Sequence, residues 1–207
     1  MRTITAVNSD EVFPFIVADN WYSPEEEKLI WKELDFYYRQ DNLEPAAEYS
    51  AKHQGVPLSN SWRIYPQRIF SPSYKAISSI MSSMKKFHDK EFQDFLKKAM
   101  PQGRQFCTTN RDSTIISYYD DAQEYKTHHD QPQFTVLIWF YKEPVKFTGG
   151  DLVFTETNTP VKCKYNRMVM FPSYYLHKVT PVLMDQEYRN KGLGRFTITH
   201  FYWSHTD

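Results

Sequence analysis

The sequence has few cysteines, no net charge and no long apolar run, and each absence excludes a class of protein. Its 207 residues include two cysteines, Cys107 and Cys163, which form neither a C-x-x-C pair nor a disulfide framework and so favour a reducing compartment. The formal net charge is +0, so no basic field is available to hold phosphate backbones, and we expect no nucleic-acid partner. No apolar run is long enough to cross a bilayer, and residues 1–5 lack a signal-peptide core, so we expect a cytoplasmic protein with no membrane partner.

Two helices are predicted in the first half of the chain. Ser23 can cap a helix that begins at Pro24, and Glu26 completes a capping box. The apolar residues that follow at helical spacing predict one packed face: Leu29, Ile30, Leu34 and Tyr37. A second helix is predicted over about 73–99, because apolar residues again recur at helical spacing. They form a core-facing stripe of Ile77, Ile80, Met81, Met84, Phe87, Phe92, Phe95, Leu96 and Ala99.

Short strands and one long irregular segment accompany these helices. Residues 11–18 form an apolar run that contains Pro14, which predicts an edge strand. Residues 62–65 and 68–70 predict two short strand pieces. Residues 41–61 are polar and interrupted by proline and glycine, and a segment of this length is usually a functional lid or disordered.

From Thr114 onward the apolar pattern changes from the helical to the strand period. The predicted strands are Thr114–Tyr119, Thr135–Tyr141, Asp151–Phe154, Met168–Phe171, His177–Val182 and Arg195–Trp203. Short strands at this density, with no helical pattern between them, predict a sandwich, barrel or jelly roll. We therefore predict an α+β fold in which two helices support one face of the β-structure, and a chain of this length fits a single domain.

The motif His128-His129-Asp130 is the strongest candidate for chemistry. A strand places His128 and Asp130 on one face and His129 on the other. Two imidazoles and one carboxylate on one side of a ferrous ion form a facial triad that leaves three coordination positions open. The third ligand must come from a distant strand, and His177 lies near the end of a suitable segment. Because the chain contains 7 histidines, a His-x-Asp motif arises easily by chance. Whether it forms a metal site is therefore inferred from the sequence around it.

Six blocks of sequence surround these residues in a fixed order. They are residues 125–130, 134–140, 147–154, 166–172, 177–182 and 194–199. In order and spacing they resemble the 2-oxoglutarate- and Fe(II)-dependent oxygenases, specifically the prolyl 4-hydroxylase-like branch, over roughly Ser113 to Trp203. The resemblance implies a double-stranded β-helix, or jelly roll. It also implies one domain over 1–207, with 1–112 as helical support and N-terminal strands and 113–205 as the catalytic core.

The resemblance also implies the chemistry. Fe(II) would be held by His128, Asp130 and His177, leaving room for 2-oxoglutarate and dioxygen, with ascorbate as a candidate reductant. Hydroxylation of a C–H bond would accompany decarboxylation of 2-oxoglutarate to succinate and carbon dioxide. The substrate implied is a prolyl residue in a peptide or protein, or a related small molecule.

The far carboxylate of 2-oxoglutarate needs a fixed cation, and a guanidinium fork matches it in two bonds. The family pattern Arg-x-Ser/Thr on the last strand corresponds to Arg195 and Thr197, which alternation places on one face. Residues 183–194 look like an insertion before this strand, which makes Arg189 a rival. Arg189 lies in a polar run that is typical of a solvated loop, and Arg195 is therefore preferred.

Two aromatic residues complete the predicted cosubstrate pocket. Tyr119 matches a tyrosine that contacts the cosubstrate in the family, although a core tyrosine with a satisfied hydroxyl is an equal alternative. Trp139 replaces another tyrosine, and we expect it to form the pocket wall. Gly149 and Gly150 permit backbone geometry that a Cβ would obstruct, and Asn166, which replaces a family glycine, tolerates the left-handed conformation.

Four alternatives to the oxygenase fit the sequence less well. A zinc hydrolase could use the same triad with an open position, but it leaves Arg195 without a purpose. A non-catalytic jelly-roll binding module would not need every ligand. A halogenase is disfavoured because Asp130 occupies the position needed by halide, and a nucleic-acid dealkylase because Phe201 replaces the expected second arginine. The loops 41–61 and 183–194, which would choose the substrate, contain no motif that names it.

Overall fold

The computed structural model describes residues 3–7, 12–39, 42–69 and 74–205, so residues 11, 41, 70 and 73 of the predicted segments lie outside it. The strands are β1 Thr3–Val7, β2 Phe15–Asp19, β3 Glu44–Pro45, β4 Lys52–His53, β5 Val56–Pro57, β6 Trp62–Ile64, β7 Arg111–Tyr119, β8 Tyr125–His128, β9 Phe134–Tyr141, β10 Phe147–Gly149, β11 Leu152–Phe154, β12 Thr159–Val161, β13 Met168–Pro172, β14 His177–Val179, β15 Val182–Met184 and β16 Arg195–Trp203. The α-helices are α1 Pro24–Tyr37, α2 Pro66–Ile69, α3 Tyr74–Ile77, α4 Ser79–Ser82, α5 Lys90–Ala99 and α6 Gly103–Phe106.

Two antiparallel sheets form most of the β-structure. The large sheet has eight strands in the order β1-β2-β13-β9-β16-β7-β6-β3 and draws on both halves of the chain. The small sheet has four strands in the order β12-β11-β14-β8, and β10-β15 and β4-β5 each form a two-stranded sheet. This arrangement confirms the predicted α+β fold with a double-stranded β-helix. The division at residue 112 stays a prediction.

The large sheet separates two hydrophobic cores. Alternate residues of β9 face opposite ways, so that Ile138 and Phe140 pack against the helices. Leu137 and Trp139 pack in the other direction, against Leu152 of the small sheet. All of β9 is buried because both of its faces are covered. We therefore expect the predicted metal and cosubstrate residues to lie between the two sheets.

The first predicted helix is confirmed, including its cap. The Ser23 hydroxyl accepts the Glu26 amide at 3.3 Å, and the Glu26 carboxylate accepts the Ser23 amide at 2.8 Å. Ile30 and Leu34 are buried on one stripe of the helix. The prediction for Leu29 is wrong, because this side chain is 49% exposed. It lies one residue, about 100°, away from that stripe.

The second predicted helix is wrong as a continuous element. The chain forms α3, α4, a 3-10 helix at Ser83–His88 and then α5. Ser78 is extended and its side chain accepts the Met81 amide, and Asp89 is also extended, so each residue begins a new helix. The predicted stripe nevertheless remains core from Ile80 onward, whereas Ile77 is 60% exposed. Among the described residues, no helix combines the length and apolar character that a membrane crossing needs.

Three strand predictions need correction. β2 pairs with β1 on one side and β13 on the other, so it is an interior strand and not an edge. Pro14 precedes β2, and its missing N–H therefore costs no ladder hydrogen bond. Arg68 and Ile69 lie in α2 instead of a strand, because Pro66 occupies a first-turn position that favours a helix. The predicted strand 177–182 is divided into β14 and β15 at Pro181.

Candidate active site

Three predicted metal ligands come together between the sheets. One nitrogen each of His128 and His177 and an oxygen of Asp130 all lie within 4.8 Å of one another. His128 Nε2 is 3.6 Å from Asp130 Oδ1, and His177 Nε2 is 3.6 Å from Asp130 Oδ2. The two histidines are buried, and His129 is exposed, as predicted. The geometry fits a single small cation with three protein ligands on one side.

Pairing of two strands brings the histidines together. His177 in β14 lies opposite His128 in β8. The strand argument for Asp130 is wrong, because β8 ends at His128 and Asp130 lies in the segment that follows. The Asp130 amide donates to the Ser173 carbonyl at 2.9 Å, and its Oδ2 accepts the Thr135 hydroxyl at 2.7 Å. Backbone and side-chain hydrogen bonds therefore direct the carboxylate toward the histidines.

Hydrogen bonds also determine which nitrogen of each histidine faces the centre. His128 Nδ1 is 2.8 Å from the Lys126 carbonyl, and His177 Nδ1 is 2.8 Å from the Tyr175 carbonyl. A carbonyl oxygen only accepts, so Nδ1 is the protonated nitrogen in both rings. Both Nε2 lone pairs are then available on the Asp130 side, which is the arrangement that metal-binding histidines use.

Burial keeps His128 neutral. Burial, together with a smaller effect of the neighbouring His177, lowers the pKa of the His128 imidazole from 6.5 to about 4. A neutral imidazole is the form that binds a metal, so protons do not compete for this ligand near neutral pH. The ring of Tyr125 stacks on His128 with centroids 3.5 Å apart and an interplanar angle of 12°, which fixes the imidazole plane.

An inner cavity extends from the triad between the sheets. All three triad residues line it, as do the predicted cosubstrate residues Tyr119, Trp139 and Thr197. In β16, Thr197 and Thr199 face this cavity while Phe196 and Ile198 face the helix-side core, which confirms the predicted alternation. Trp139 is buried in the wall, as expected. Tyr119 is both a cavity residue and part of a small core cluster.

Arg195 lies behind this cavity. Its side chain is fully buried, and its guanidinium carbon is 4.3 Å from the centroid of the Tyr119 ring. Nη1 donates to the Thr197 hydroxyl, whereas Nε and Nη2 have no hydrogen-bond partner among the described residues. A Cβ on Gly150, whose φ is +71°, would lie 2.6 Å from Arg195 Nε. The glycine therefore makes room for the guanidinium.

The rival arginine lies on the surface. The Arg189 side chain is 45% exposed and pairs with Asp121 at 2.9 Å. No residue of 183–194 lines the inner cavity, so this segment does not cover the site in the described structure. Asn166 has a φ of +52°, which confirms the predicted left-handed conformation. Its side chain also bonds to the backbone of Tyr22, which ties the segment before β13 to the start of α1.

A second recess, the outer groove, continues from the inner cavity to the surface. Residues 49–53 and 127–132 line its two sides. The predicted loop 41–61 therefore contributes directly to the entrance, and the exposed ring of Tyr49 lies there. Arg63 lines both the groove and the inner cavity.

Sequence reasoning missed Thr135, Tyr125 and Arg63. A signal was present for Arg63, because a charged residue between Trp62 and Ile64 in a predicted strand must face away from the apolar side. No sequence signal identifies Thr135, whose role depends on a contact between separate elements.

Comparison with known proteins agrees with this geometry. Residues 114–203 match the model of the 2OG-Fe(II) oxygenase superfamily. These residues belong to that superfamily. The family uses Fe(II), 2-oxoglutarate and dioxygen, and the triad and the unpaired nitrogens of Arg195 fit a metal and an anionic cosubstrate. No curated protein sequence gives a significant match.

Solved structures show the same fold at low sequence identity. A Pseudomonas putida prolyl-4-hydroxylase has a TM-score of 0.60 at 16% identity, with 96% of this chain and 98% of that chain covered. A Trichoplax adhaerens prolyl hydroxylase in complex with a hypoxia inducible factor peptide has a TM-score of 0.60 at 12% identity, with 92% and 83% covered. A viral collagen prolyl hydroxylase from Paramecium Bursaria Chlorella virus-1, in its 2OG complex, has a TM-score of 0.52 at 14% identity, with 91% and 94% covered. The chain therefore has the fold of these prolyl hydroxylases.

Proposed function

We propose that this oxygenase hydroxylates a C–H bond of a prolyl residue in a peptide or protein, or of a related small molecule. In the proposal 2-oxoglutarate is decarboxylated to succinate and carbon dioxide in the same reaction. His128, Asp130 and His177 are the proposed iron ligands, and Arg195 and Thr197 are the proposed residues for the distal carboxylate of 2-oxoglutarate. Tyr119 and Trp139 form the walls between them.

The observation that carries the proposal is a buried arginine, close to the triad, that has no acidic partner among the described residues. A fully buried guanidinium in which two nitrogens have no hydrogen-bond partner among the described residues is costly unless an anion pairs with it. The distal carboxylate of 2-oxoglutarate is such an anion, and it matches a guanidinium fork. A zinc hydrolase would use the same triad but would leave Arg195 unexplained.

When bound, Fe(II) supplies the activation of dioxygen that C–H hydroxylation requires, and the chain supplies placement. Thr135 directs the Asp130 carboxylate, and the Lys126 and Tyr175 carbonyls orient the two imidazoles. The aromatic and aliphatic lining of the inner cavity keeps water from the reacting groups. Arg195 and Thr197 would hold the cosubstrate at one end, so that its other end faces the triad.

Arg195→Ala tests the proposed cosubstrate site. Truncating one partner of a buried charge pair costs about 2–5 kcal/mol, which at about 1.4 kcal/mol per tenfold weakens 2-oxoglutarate binding by about ten- to several-thousand-fold. Arg195→Lys should restore only part of the affinity, because an ammonium cannot reproduce the fork. The measurement is a 2-oxoglutarate titration of the anaerobic Fe(II) protein, followed by its charge-transfer absorption.

Arg189→Ala is the matched control, since this arginine is on the surface and should leave the affinity unchanged. Equal binding by the parent and Arg195→Ala would remove Arg195 from the site. Absence of 2-oxoglutarate binding by the parent would contradict the oxygenase proposal as a whole.

The prolyl part of the proposal is supported by the shared fold with prolyl hydroxylases, one of them solved with a peptide. Succinate release, measured with proline-containing peptides and with free amino acids, tests it. A proline substrate should stimulate release above the substrate-free rate, whereas stimulation only by substrates without proline would exclude a prolyl hydroxylase.

A further inference from the structure

Arg63 is a second buried arginine at the site, and the reaction proposed above gives it no role. It lies in β6 between Trp62 and Ile64, which pack on the helix-side core, so alternation turns Arg63 toward the inner cavity. It is 7% exposed. Its partner across the sheet is Ser117, whose partner in turn is Thr197. Arg63 therefore lies in the same row of the large sheet as a proposed cosubstrate residue.

The Arg63 side chain is poorly satisfied by the protein. Among the described residues no carboxylate forms an ion pair with it, and its Nε has no hydrogen-bond partner. Nη1 donates to the Tyr49 carbonyl over 3.4 Å, which is a long contact. The guanidinium carbon is 5.6 Å from the centroid of the Tyr125 ring, which itself stacks on His128. Arg63 is therefore a buried cation whose Nε–H has no partner among the described residues, and it lies against the ring that stacks on a proposed iron ligand.

Arg195 and Arg63 lie at different depths from the surface, which indicates different roles. Arg195 lines neither recess and lies behind Thr197, which lines the inner cavity only. Arg63 lines both recesses, together with His128 and Asp130. A molecule that enters by the outer groove therefore meets Arg63 where it reaches the metal ligands. A cosubstrate held by Arg195 lies on the far side.

The charged residues that line the outer groove also favour an anionic ligand near Arg63. Lys52 and Arg63 contribute positive charges to its lining. Asp130 is the one carboxylate among the described residues that line it, and this group faces the two triad histidines. The groove therefore favours an anion at the position of Arg63.

We propose that Arg63 binds a carboxylate of the substrate, so that this oxygenase acts on an anionic substrate. The inference rests on the proposed function and adds the substrate class to it. A guanidinium offers two parallel N–H donors to the two oxygens of a carboxylate, which gives orientation as well as affinity. A free amino acid and the C-terminus of a peptide present the same group, and the experiment distinguishes them.

The test compares a carboxylate with a carboxamide of the same shape. N-acetyl-L-proline and N-acetyl-L-prolinamide are titrated calorimetrically into the anaerobic protein loaded with Fe(II) and 2-oxoglutarate. The parent should bind the acid about tenfold or more tightly than the amide, as a hydrogen bond to a charged group implies. Arg63→Met should remove this preference, and Arg63→Lys should keep part of it. Arg189→Met is the matched control and should retain the parent preference.

Free L-proline, titrated alongside, identifies the source of the carboxylate. Binding tighter than that of N-acetyl-L-proline assigns it to a free amino acid, and weaker binding assigns it to a peptide C-terminus. Equal binding of acid and amide by the parent, or binding of neither, would overturn the inference. Weaker 2-oxoglutarate binding by Arg63→Met would also overturn it, because Arg63 would then hold the cosubstrate.

A purely structural role for Arg63 predicts a different result. Arg63→Met would then melt at a lower temperature and bind both probes more weakly, with the preference for the acid unchanged, which would overturn the inference. Failure of the parent to bind 2-oxoglutarate at all would contradict the oxygenase proposal. The inference about Arg63 rests on that proposal and would then fail too. The two failures are therefore distinct.

Discussion

The Thr135 hydroxyl donates a hydrogen bond of 2.7 Å to Oδ2 of Asp130, the carboxylate that faces both triad histidines. Thr135 is fully buried at the start of β9, and its hydroxyl is also 2.8 Å from that of Ser173. Asp130 follows the end of β8, and its amide donates to the Ser173 carbonyl, next to β13 of the large sheet. The large sheet therefore determines where a ligand from a loop can point.

Thr135→Val should weaken Fe(II) binding without disturbing the core. Valine has almost the same shape as threonine but cannot donate, so Asp130 would lose its orientation. Loss of such a supporting hydrogen bond typically weakens metal affinity by about 10- to 100-fold. Anaerobic Fe(II) titration measures the effect, and thermal unfolding should show a small change. Thr199→Val, in the same cavity, is the control. Equal losses in the two variants would show that the Thr135 hydrogen bond is irrelevant.

The proposed iron ligands can be tested directly by removing them one at a time. His128→Ala, Asp130→Ala and His177→Ala should each abolish Fe(II)-dependent turnover and leave the fold largely intact, because each removes one of three ligands. Metal content after reconstitution and circular dichroism are the measurements. His129→Ala should retain the metal content of the parent, since this side chain is exposed and is not part of the triad. Full activity of any triad variant would contradict the proposed metal site.

Much of the site could be predicted because strand alternation is a strong local constraint. In β16 it correctly placed Arg195 and Thr197 away from Phe196 and Ile198. The same rule failed for Asp130, because β8 ends before it and long-range hydrogen bonds take over. Contacts of that kind join residues distant in sequence, so no local pattern records them.

The helices in the first half of the chain show a second limit of prediction from sequence. Apolar spacing correctly identified the buried residues of 80–96 but not the breaks at Ser78 and Asp89. Both residues have short polar side chains, which permit extended caps as well as helical interiors. Spacing alone cannot decide between these states. The core face was therefore predictable, whereas the division into separate helices was not.

A pH-dependent stability is expected from His200. Burial lowers the pKa of this imidazole from 6.5 to about 3, and its Nδ1 is 2.8 Å from the Thr114 hydroxyl. As the pH falls below 6.5, the unfolded chain takes up a proton that the folded protein resists. The contribution of neutral His200 to the free energy of unfolding is therefore complete above pH 6.5. It is lost progressively as the pH falls from 6.5 to about 3.

His200→Gln removes this titration and keeps a hydrogen-bonding side chain. The stability of the parent relative to the variant should therefore fall with decreasing pH, by about 1.4 kcal/mol per pH unit inside the window. Urea unfolding at several pH values between 7 and 4 would measure this difference. His129→Gln, at an exposed histidine, is the control. A parent-to-variant difference that is constant with pH would show that His200 is not held neutral.

The last prediction uses Gly150 to move Arg195 without changing any charge. Gly150 has a φ of +71°, and an added Cβ would lie 2.6 Å from Arg195 Nε. Gly150→Ala should displace the guanidinium and weaken 2-oxoglutarate binding by about tenfold or more, equivalent to about 1.4 kcal/mol. Gly55→Ala is a matched control, because Gly55 also has a positive φ, of +80°, but no atom of the described residues lies within 4 Å of its Cβ position. Both variants should lose similar stability from backbone strain, and only Gly150→Ala should lose affinity. If both bind 2-oxoglutarate like the parent in the anaerobic Fe(II) titration, the position of Arg195 does not set cosubstrate affinity.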